Sequence, residues 1–418
     1  MTLVFAAFLG LLLIGLPLIF AMGLGGWIGS AHISKTIISQ QLFLGLNNFS
    51  YVAIPLFIFM GNLMTECGLT SRLVNFCNSL FGRYRGGLGI ACMAAGAFFA
   101  SMSGSSVAST ASLGSVLIPS MRKEGYDAGF AGAVIAAAGS LGPIIPPSIL
   151  LVIYASQTGI SVSAMFASGM VPGVLSAILY MFIAARIARK RNYPVHEKAS
   201  IQEIGRTFVH SFPAIVVPAI ILVGVCFGVF TVTESAAIAS IYALAFCFIS
   251  RVKLDVIGRI TLSAFKETAT ITFVIGASAV LAWVITRGQV PMKLVRFVTE
   301  QELSAVVVFL FINILLIVFG MFLAPAAALV LATPLLLPLA QEYGMGVVQF
   351  GMVMVYNLNL GILTPPVAIS LFMTAKMTGT TFEEQVKAAL PFLIISFIVL
   401  LLLNVFPFMS QGVADLIR

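Results

Sequence analysis

The chain has 418 residues, of which 60% are hydrophobic and only 9% are Asp, Glu, Lys or Arg. A soluble protein of this length needs a charged surface, so the composition excludes an ordinary globular protein and predicts an all-α polytopic protein embedded in a lipid bilayer. The net charge of +8 does not indicate nucleic-acid binding, because the basic residues cluster in short loops, as expected of cytoplasmic loops between membrane spans: Arg83 and Arg85, Arg122 and Lys123, residues 186–191 and residues 251–259.

Residues 1–30 form the first apolar run. The run has no charged segment before its apolar core and no small-residue cleavage site, so we interpret it as mature membrane helix rather than a signal peptide. Pro17 either kinks one helix or opens a second short helix.

Residues 86–120 are apolar or small and lie between two basic loops. Because both loops are assigned to the cytoplasm, this segment must enter the membrane and return. We predict a re-entrant hairpin over 86–120, with its turn in "SMSGSSVAST". The next apolar run is interrupted in its middle by "GSLGPIIPPS", which predicts a broken helix over 128–155.

The rest of the chain alternates between spans and polar segments. A span over 163–185 leads into a polar cytoplasmic connector over 192–207. Further spans are predicted near 211–230, 234–250, 264–286 and 390–409, with a polar segment over 287–304.

A comparison of the chain with itself indicates an internal repeat. A shift of 219 positions places "GSLGPIIPP" on "LNLGILTPP", so that Gly142 meets Gly361 and the two prolines that end the first motif meet Pro365 and Pro366. The counterpart hairpin, 305–340, has no basic residue at either end and lies one crossing beyond the loop 251–259, so it would enter from the opposite face. We therefore predict an inverted repeat of two halves, with a second broken helix over 346–375.

The breaks suggest an ion-binding chemistry. Backbone that is not helical at membrane depth is tolerated only where it lines a protein interior or a watery cavity. Prolines free upstream carbonyl groups, and these oxygens together with hydroxyls could enclose a small cation such as Na⁺. The polar side chains near the breaks are Ser101, Ser103, Ser105, Ser106, Ser109 and Thr110 in the first half, and Asn357, Asn359 and Thr364 in the second.

A few charged residues lie at the edges of spans. Arg287 could bind a substrate carboxylate or could equally be an interfacial anchor. Glu234 is interpreted as a helix cap, and Glu66, Lys266 and Glu267 as interfacial residues. The five cysteines are isolated and are interpreted as packing residues.

Taken together, these residues resemble the large membrane subunit of tripartite ATP-independent periplasmic (TRAP) transporters. The resemblance covers essentially the whole chain and is carried most specifically by "SMSGSSVASTASLGSVLIPSM", "GSLGPIIPPS", "FGVFTVTESAA" and "FGMVMVYNLNLGILTPPV". It implies a Na⁺-coupled, elevator-type importer of an organic acid (a dicarboxylate, sugar acid or sialic acid) in the bacterial inner membrane. The implied partners are a small four-helix membrane subunit and a soluble periplasmic substrate-binding protein, and no organic cofactor is implied.

The resemblance also implies which residues bind. A first Na⁺ site falls on Ser103, Ser105, Ser106, Gly139, Gly142 and Ile145. A second falls on Gly320, Leu323, Asn359, Gly361 and Thr364. Substrate contacts fall on Ser103, Ser148 and Arg287, and the helix-breaking residues are Pro143, Pro146, Pro147, Pro365 and Pro366.

The implied architecture is a fixed scaffold plus a moving transport domain. Scaffold helices would occupy 1–85 and 211–290, with a scaffold span and cytoplasmic connector over 163–210. The transport regions would occupy 86–162 and 291–380, and a C-terminal span 381–418.

One departure and two alternatives accompany this resemblance. Similar family members often carry an acidic residue where this chain has Ala324, so substrate polarity or ion count could differ. The alternatives are a self-sufficient Na⁺/organic-anion symporter of the same superfamily and a channel. An intramembrane enzyme is disfavoured because the spans lack a plausible catalytic constellation.

Overall fold

The computed structural model describes residues 2–29, 34–195 and 197–416, and within these ranges the chain is helical, with no strand. Residues 1, 30–33, 196, 417 and 418 lie outside this description, so predictions that extend over them apply only to their described parts. Eight helices among the described residues are long and apolar enough to cross a membrane. The predicted all-α polytopic class is confirmed.

The first half of the chain contains ten described α-helices. They are α1 (Thr2–Leu13), α2 (Leu18–Gly29), α3 (Lys35–Leu46), α4 (Ala53–Glu66), α5 (Leu69–Phe81), α6 (Gly87–Ser103), α7 (Ser106–Lys123), α8 (Ala128–Gly139), α9 (Ile149–Thr158) and α10 (Val162–Lys190). We call α6 and α7 the first hairpin, and residues 140–148 the first break.

The second half contributes ten more. They are α11 (Ile201–Cys226), α12 (Val232–Ile249), α13 (Leu254–Arg287), α14 (Val290–Glu300), α15 (Ala305–Phe322), α16 (Pro325–Glu342), α17 (Val347–Gly361), α18 (Ile369–Thr378), α19 (Phe382–Val405) and α20 (Gln411–Leu416). We call α15 and α16 the second hairpin, and residues 362–368 the second break.

Three features of the chain differ from or sharpen the sequence predictions. The N-terminal run is two helices, because Pro17 opens α2 and its carbonyl oxygen accepts the Phe20 and Ala21 amides. The polar connector is already helical from residue 201, where the Ser200 hydroxyl caps α11 by accepting the Glu203 amide at 3.1 Å. The polar segment 287–304 contains α14, which buries Pro291 and Val298 and exposes its charged residues.

The two halves repeat at an offset of 219 residues. α7 begins at residue 106 and α16 at residue 325, and 325 − 106 = 219; the starts of α8 and α17, at 128 and 347, differ by the same number. Asn359 donates its side-chain amide to the carbonyl oxygen of Ser140, which lies 219 residues earlier. A contact between two equivalent positions is expected where the broken helices of two repeats cross on a pseudo-two-fold axis.

Helices α4 and α12 run side by side in the same direction. Thr233, Ser240 and Cys247 each approach a carbonyl oxygen that lies 184 residues earlier, on Phe49, Leu56 and Leu63. Near the ends of these helices Cys67 and Cys247 form a disulfide across a sequence separation of 180 residues. The interpretation of all five cysteines as packing residues is therefore wrong for this pair, because sequence spacing carries no information about two thiols brought together by parallel helices.

The N-terminus of α8 is stabilised by an acidic N-cap residue, Asp127, which lies outside the membrane spans. Asp127 accepts the Phe130 amide at 2.9 Å and pairs with Arg191 at 3.0 Å, and its own amide donates to the Tyr193 hydroxyl. Burial alone would raise the pKa of Asp127, but the Phe130 amide and the Arg191 guanidinium together lower it below its ordinary value. The charged form of this carboxylate therefore stabilises the junction between α8 and the end of α10.

Replacement of Asp127 by alanine is expected to cost about 1 kcal/mol at pH 7, mostly from loss of the cap, since the ion pair is half-exposed and contributes little. A lowered pKa in the folded state means that this stability is present above the ordinary value of about 4 and is lost as the pH falls through the folded value. Thermal unfolding of the purified chain in detergent should show a gap between wild type and Asp127→Ala at pH 7 that closes below about pH 4. Asp255→Ala is the control, and a gap that persists in acid would contradict the assignment.

Candidate functional site

The turn of the first hairpin is built by three consecutive residues. Gly104 ends α6 with φ of +60°, a conformation that favours glycine. Ser105 then caps α7, its hydroxyl accepting the Ala108 amide at 3.4 Å. The buried Ser103 hydroxyl approaches the Ser105 carbonyl at 3.2 Å and the Ser109 hydroxyl more closely still. Several oxygen atoms therefore converge within one helical turn.

The first break lies directly against this turn. A Cβ on Gly142 would lie 2.9 Å from the carbonyl carbon and oxygen of Ser105 and 3.2 Å from the Ser106 amide nitrogen. A Cβ on Gly139 would lie 2.1 Å from the Thr110 hydroxyl oxygen. Both glycines are required for close approach of two backbones, so the structure brings the predicted serines and glycines of the first site together.

The remaining residues predicted in the first half line the other side of the break. Ile145 packs against α10, where a Cβ on Gly173 would lie 2.5 Å from its side chain. Ser148 is fully buried and caps α9, its hydroxyl accepting the Leu151 amide at 3.4 Å. Gly104 faces the carbonyl of Pro147, so the start of α9 lies beside the hairpin turn. Its unpaired amides carry the partial positive charge of a helix N-terminus.

The second half repeats this arrangement with fewer hydroxyls. Gly320 and Gly361 are in backbone contact: a Cβ on Gly361 would lie 2.3 Å from the Gly320 carbonyl carbon. Leu323 is the extended residue at the hairpin turn, and the Thr364 hydroxyl donates to the Leu360 carbonyl at 2.8 Å. Backbone oxygens are therefore the main donors here.

Two buried asparagines on α17 connect the second break to other elements. Asn357 donates to Asn313 of the second hairpin, and Asn359 donates to Ser140 of the first break. Among the described residues, neither side-chain carbonyl oxygen has a hydrogen-bond partner, although both are buried. A buried, unpaired amide oxygen is costly in a protein interior. Of the two, the oxygen of Asn359 belongs to the predicted second ion site, where it is free to accept a cation.

Arg287 does not lie at the first hairpin turn. Its guanidinium stacks over the Trp283 ring at 5.3 Å and is exposed. The part of α13 just before it packs on the second hairpin, where Val284 belongs to the same apolar cluster as Ala327 and Leu331. The geometry therefore favours the anchoring role for Arg287 over a shared site with Ser103 and Ser148.

Sequence reasoning missed two contacts near the first site. The Ser106 hydroxyl lies 3.5 Å from that of Ser370, which belongs to α18 in the other half of the chain. Glu267, interpreted from the sequence as an interfacial residue, lines a cleft with Ser103 and Ser105. No signal in the sequence placed Glu267 well inside a helix, because the predicted span begins at 264, whereas α13 begins at Leu254, thirteen residues before Glu267 (267 − 254 = 13).

Paired hairpins and broken helices, each hairpin turn lying against a break, define a polytopic membrane transporter fold. The structure is similar to that described as the crystal structure of the Alcanivorax borkumensis YdaH transporter, with a TM-score of 0.65, 14% identity and 91% of each chain covered. It is also similar to MtrF of Neisseria gonorrhoeae, with a TM-score of 0.58, 14% identity and 88% of this chain and 83% of that one covered. At these identities the likeness concerns the fold.

Sequence comparison identifies the family. Residues 5–409 match the family described as "Tripartite ATP-independent periplasmic transporter, DctM component", and the chain belongs to it. It is 36% identical over 410 residues to the sialic acid TRAP transporter large permease protein SiaM of Vibrio cholerae, covering 96% of this chain and 95% of the relative. It is 35% identical over 377 residues to the C4-dicarboxylate TRAP transporter large permease protein DctM of Pseudomonas aeruginosa, covering 90% and 88%.

A third relative is named for a different substrate from the first two. The chain is 32% identical over 411 residues to the 2,3-diketo-L-gulonate TRAP transporter large permease protein YiaN of Escherichia coli, covering 96% of both. The chain is thus a TRAP large permease and not an enzyme, and it is a multi-pass protein of the bacterial inner membrane. Membership implies that it works with a small membrane subunit and a periplasmic binding protein.

Proposed function

We propose that this chain is the permease of a Na⁺-coupled importer that carries an organic acid delivered by a periplasmic binding protein. The observation that carries the proposal is the pair of hairpin turns, each lying against a break. In each half of the chain, the hairpin turn and the break bring carbonyl and side-chain oxygens together in the protein interior. The residues are Ser103, Ser105, Ser106 and Gly142 in the first half, and Asn359, Gly320 and Gly361 in the second. Uncharged oxygen donors of this kind suit a hard monovalent cation.

An organic acid is the substrate class that the chain supports best. The three relatives named above carry a C4-dicarboxylate, sialic acid and 2,3-diketo-L-gulonate, and all three are carboxylic acids. In this chain, the N-terminus of α9 with its buried Ser148 cap lies beside the first hairpin turn. A carboxylate there would meet unpaired backbone amides and the favourable end of the helix dipole.

The movement that we propose is of elevator type. The hairpins and broken helices would move together, because Asn359 joins the two breaks. Two Na⁺ ions entering down 100 mV and a tenfold gradient supply about 7 kcal/mol. This is enough to concentrate a neutral solute about 10⁵-fold. An anionic substrate enters against the membrane potential, so its entry uses part of this free energy.

The test is uptake of labelled organic acids into liposomes that contain this chain with its small subunit. Uptake that requires both an inward Na⁺ gradient and the binding protein is the expected result. Uptake with Na⁺ alone would instead indicate a self-sufficient symporter, and uptake without Na⁺ would overturn the coupling.

The double variant Ser103→Ala with Thr364→Ala removes one hydroxyl from each proposed ion site. Each hydroxyl contributes one of several oxygens, so we expect the Na⁺ concentration for half-maximal uptake to rise about tenfold, corresponding to about 1.4 kcal/mol, while the fold is kept. Ser115→Ala is the control, since this exposed hydroxyl only bonds back to Ser112 in its own helix. Wild-type Na⁺ dependence in the double variant would refute the residue assignment.

A further inference from the structure

A narrow polar cleft lies on the side of the first hairpin turn that faces α4 and α13. Gly61 of α4 is in close contact with the hairpin, since a Cβ there would lie 3.2 Å from the Cα of Ser103. One turn further along α4, the Thr65 hydroxyl lies 3.3 Å from that of Ser112 on α7. The lining side chains that carry oxygen are Asn62, Thr65, Ser103, Ser105, Ser112 and Glu267.

Glu267 is the only ionisable residue among those that line this cleft. It is partly buried, and it forms no hydrogen bond or ion pair with any residue that the structure describes. A carboxylate withdrawn from water without a partner is unfavourable, and a cation in the cleft would remove that cost. The surrounding amide and hydroxyl oxygens would complete the coordination of a hard cation.

The size of the cleft restricts the ligand. The volume open to the centre of a water molecule is about 10 Å³, which is room for one water molecule or one small ion. An organic acid does not fit. The cleft adjoins a wider one of about 280 Å³, which shares Asn62, Thr65 and Ser112 and is also lined by Glu66 and Arg259.

The wider cleft leads toward the cytoplasmic loop. Arg259 lies eight residues before Glu267 on α13 (267 − 259 = 8), on the side of the basic loop 251–259. The charges of Glu66 and Arg259 offset each other at this mouth. An ion that leaves the first hairpin turn toward the cytoplasm would therefore meet Glu267 first.

We propose that Glu267, with Asn62, Thr65 and Ser112, forms a further Na⁺-binding site between the first hairpin and the α4–α13 wall, on the path from the hairpin turn to the cytoplasm. This inference rests on the proposed Na⁺ coupling. It differs from the two ion sites described above because its charged ligand lies on a helix outside the hairpins and the breaks. The site is complete only while the hairpin lies against α4, so a bound ion stabilises this arrangement.

The test is equilibrium binding of ²²Na⁺ to the purified chain with its small subunit, in choline chloride at constant ionic strength. Glu267→Gln keeps the shape of the side chain and removes its charge. We expect saturable binding to fall by one ion per chain relative to wild type. The control Glu342→Gln removes an exposed carboxylate at the end of α16 and should leave the count unchanged.

Each outcome has one meaning. An unchanged count in Glu267→Gln overturns the inference and leaves the proposed function standing, whereas wild type without saturable Na⁺ binding overturns the proposed function itself. If Glu267→Gln does not fold, Asn62→Ala together with Thr65→Val provides the second test. This variant should weaken one class of sites about tenfold, and a wild-type binding curve would overturn the inference.

Discussion

Gly361→Ala is expected to abolish uptake, with a loss of more than tenfold, and to lower the thermal stability of the chain. A Cβ at this position would lie 2.3 Å, 2.5 Å and 2.7 Å from the carbonyl carbon, Cα and oxygen of Gly320. All three are backbone atoms, so no side chain can rotate away, and the second hairpin must separate from α17. Overpacking of this kind typically costs about 1–3 kcal/mol, and the separation would also open the proposed ion site.

Gly258→Ala is the matched control for this substitution. Gly258 also lies within a helix, but a Cβ there meets nothing within 4 Å. Alanine should therefore leave uptake unchanged and stabilise α13 slightly, by about 0.5–1 kcal/mol. Na⁺-dependent uptake at the wild-type rate in Gly361→Ala would show that the hairpin need not contact the break, and the geometry of the proposed second site would have to be abandoned.

Asn359→Ala is expected to have the second-largest effect. The substitution removes the amide that donates to the Ser140 carbonyl and also the buried carbonyl oxygen that we assign to Na⁺. Leaving a buried carbonyl unsatisfied costs about 1–3 kcal/mol. The half-saturating Na⁺ concentration should rise at least tenfold, and the cooperative dependence of uptake on Na⁺ should weaken because the two breaks are no longer joined.

The variant Asn357→Ala distinguishes the loss of a buried hydrogen bond from the loss of an ion ligand. Asn357 is equally buried on the same helix, but its amide donates to Asn313 of the second hairpin rather than to the first break. We expect a similar loss of thermal stability with a Na⁺ dependence within about threefold of wild type. If both variants shift the Na⁺ dependence equally, Asn359 acts only through packing and is not an ion ligand.

Much of the fold was predictable because it depends on local patterns. Apolar runs, basic loops and the Gly and Pro breakers are read directly from the sequence, and a shift of 219 residues predicted the second hairpin and second break from the first. Some helix ends lie within a few residues of the predicted ends, such as Lys123 against 120 for the first hairpin, whereas α11 and α13 each begin ten residues before the predicted spans (211 − 201 = 10 and 264 − 254 = 10). The capping role of Glu234 was also predicted correctly: its carboxylate accepts the Thr231 amide in a capping box.

The individual site residues were harder to predict than the fold. Gly139 and Gly142 were placed beside the hairpin serines by the family resemblance, and both glycines are in close contact with the start of α7. Arg287 could not be placed, since a charge at a span edge has the same signature whether it binds a ligand or anchors a helix. Glu267 was interpreted as interfacial because it lies near the start of the predicted span, whereas α13 begins before that span, so the residue lies well inside the helix.

The sequence by itself determined the membrane class, the repeat and the location of both breaks, because composition, periodicity and proline chemistry act over short stretches of chain. Only the tertiary structure determined which polar side chains lie close to one another. The Asn359–Ser140 bond, the Ser106–Ser370 contact, the Cys67–Cys247 pair and the cleft around Glu267 join residues more than 150 positions apart. Such contacts are set by how helices pack across the molecule, and the spacing of residues along the chain carries no information about that packing.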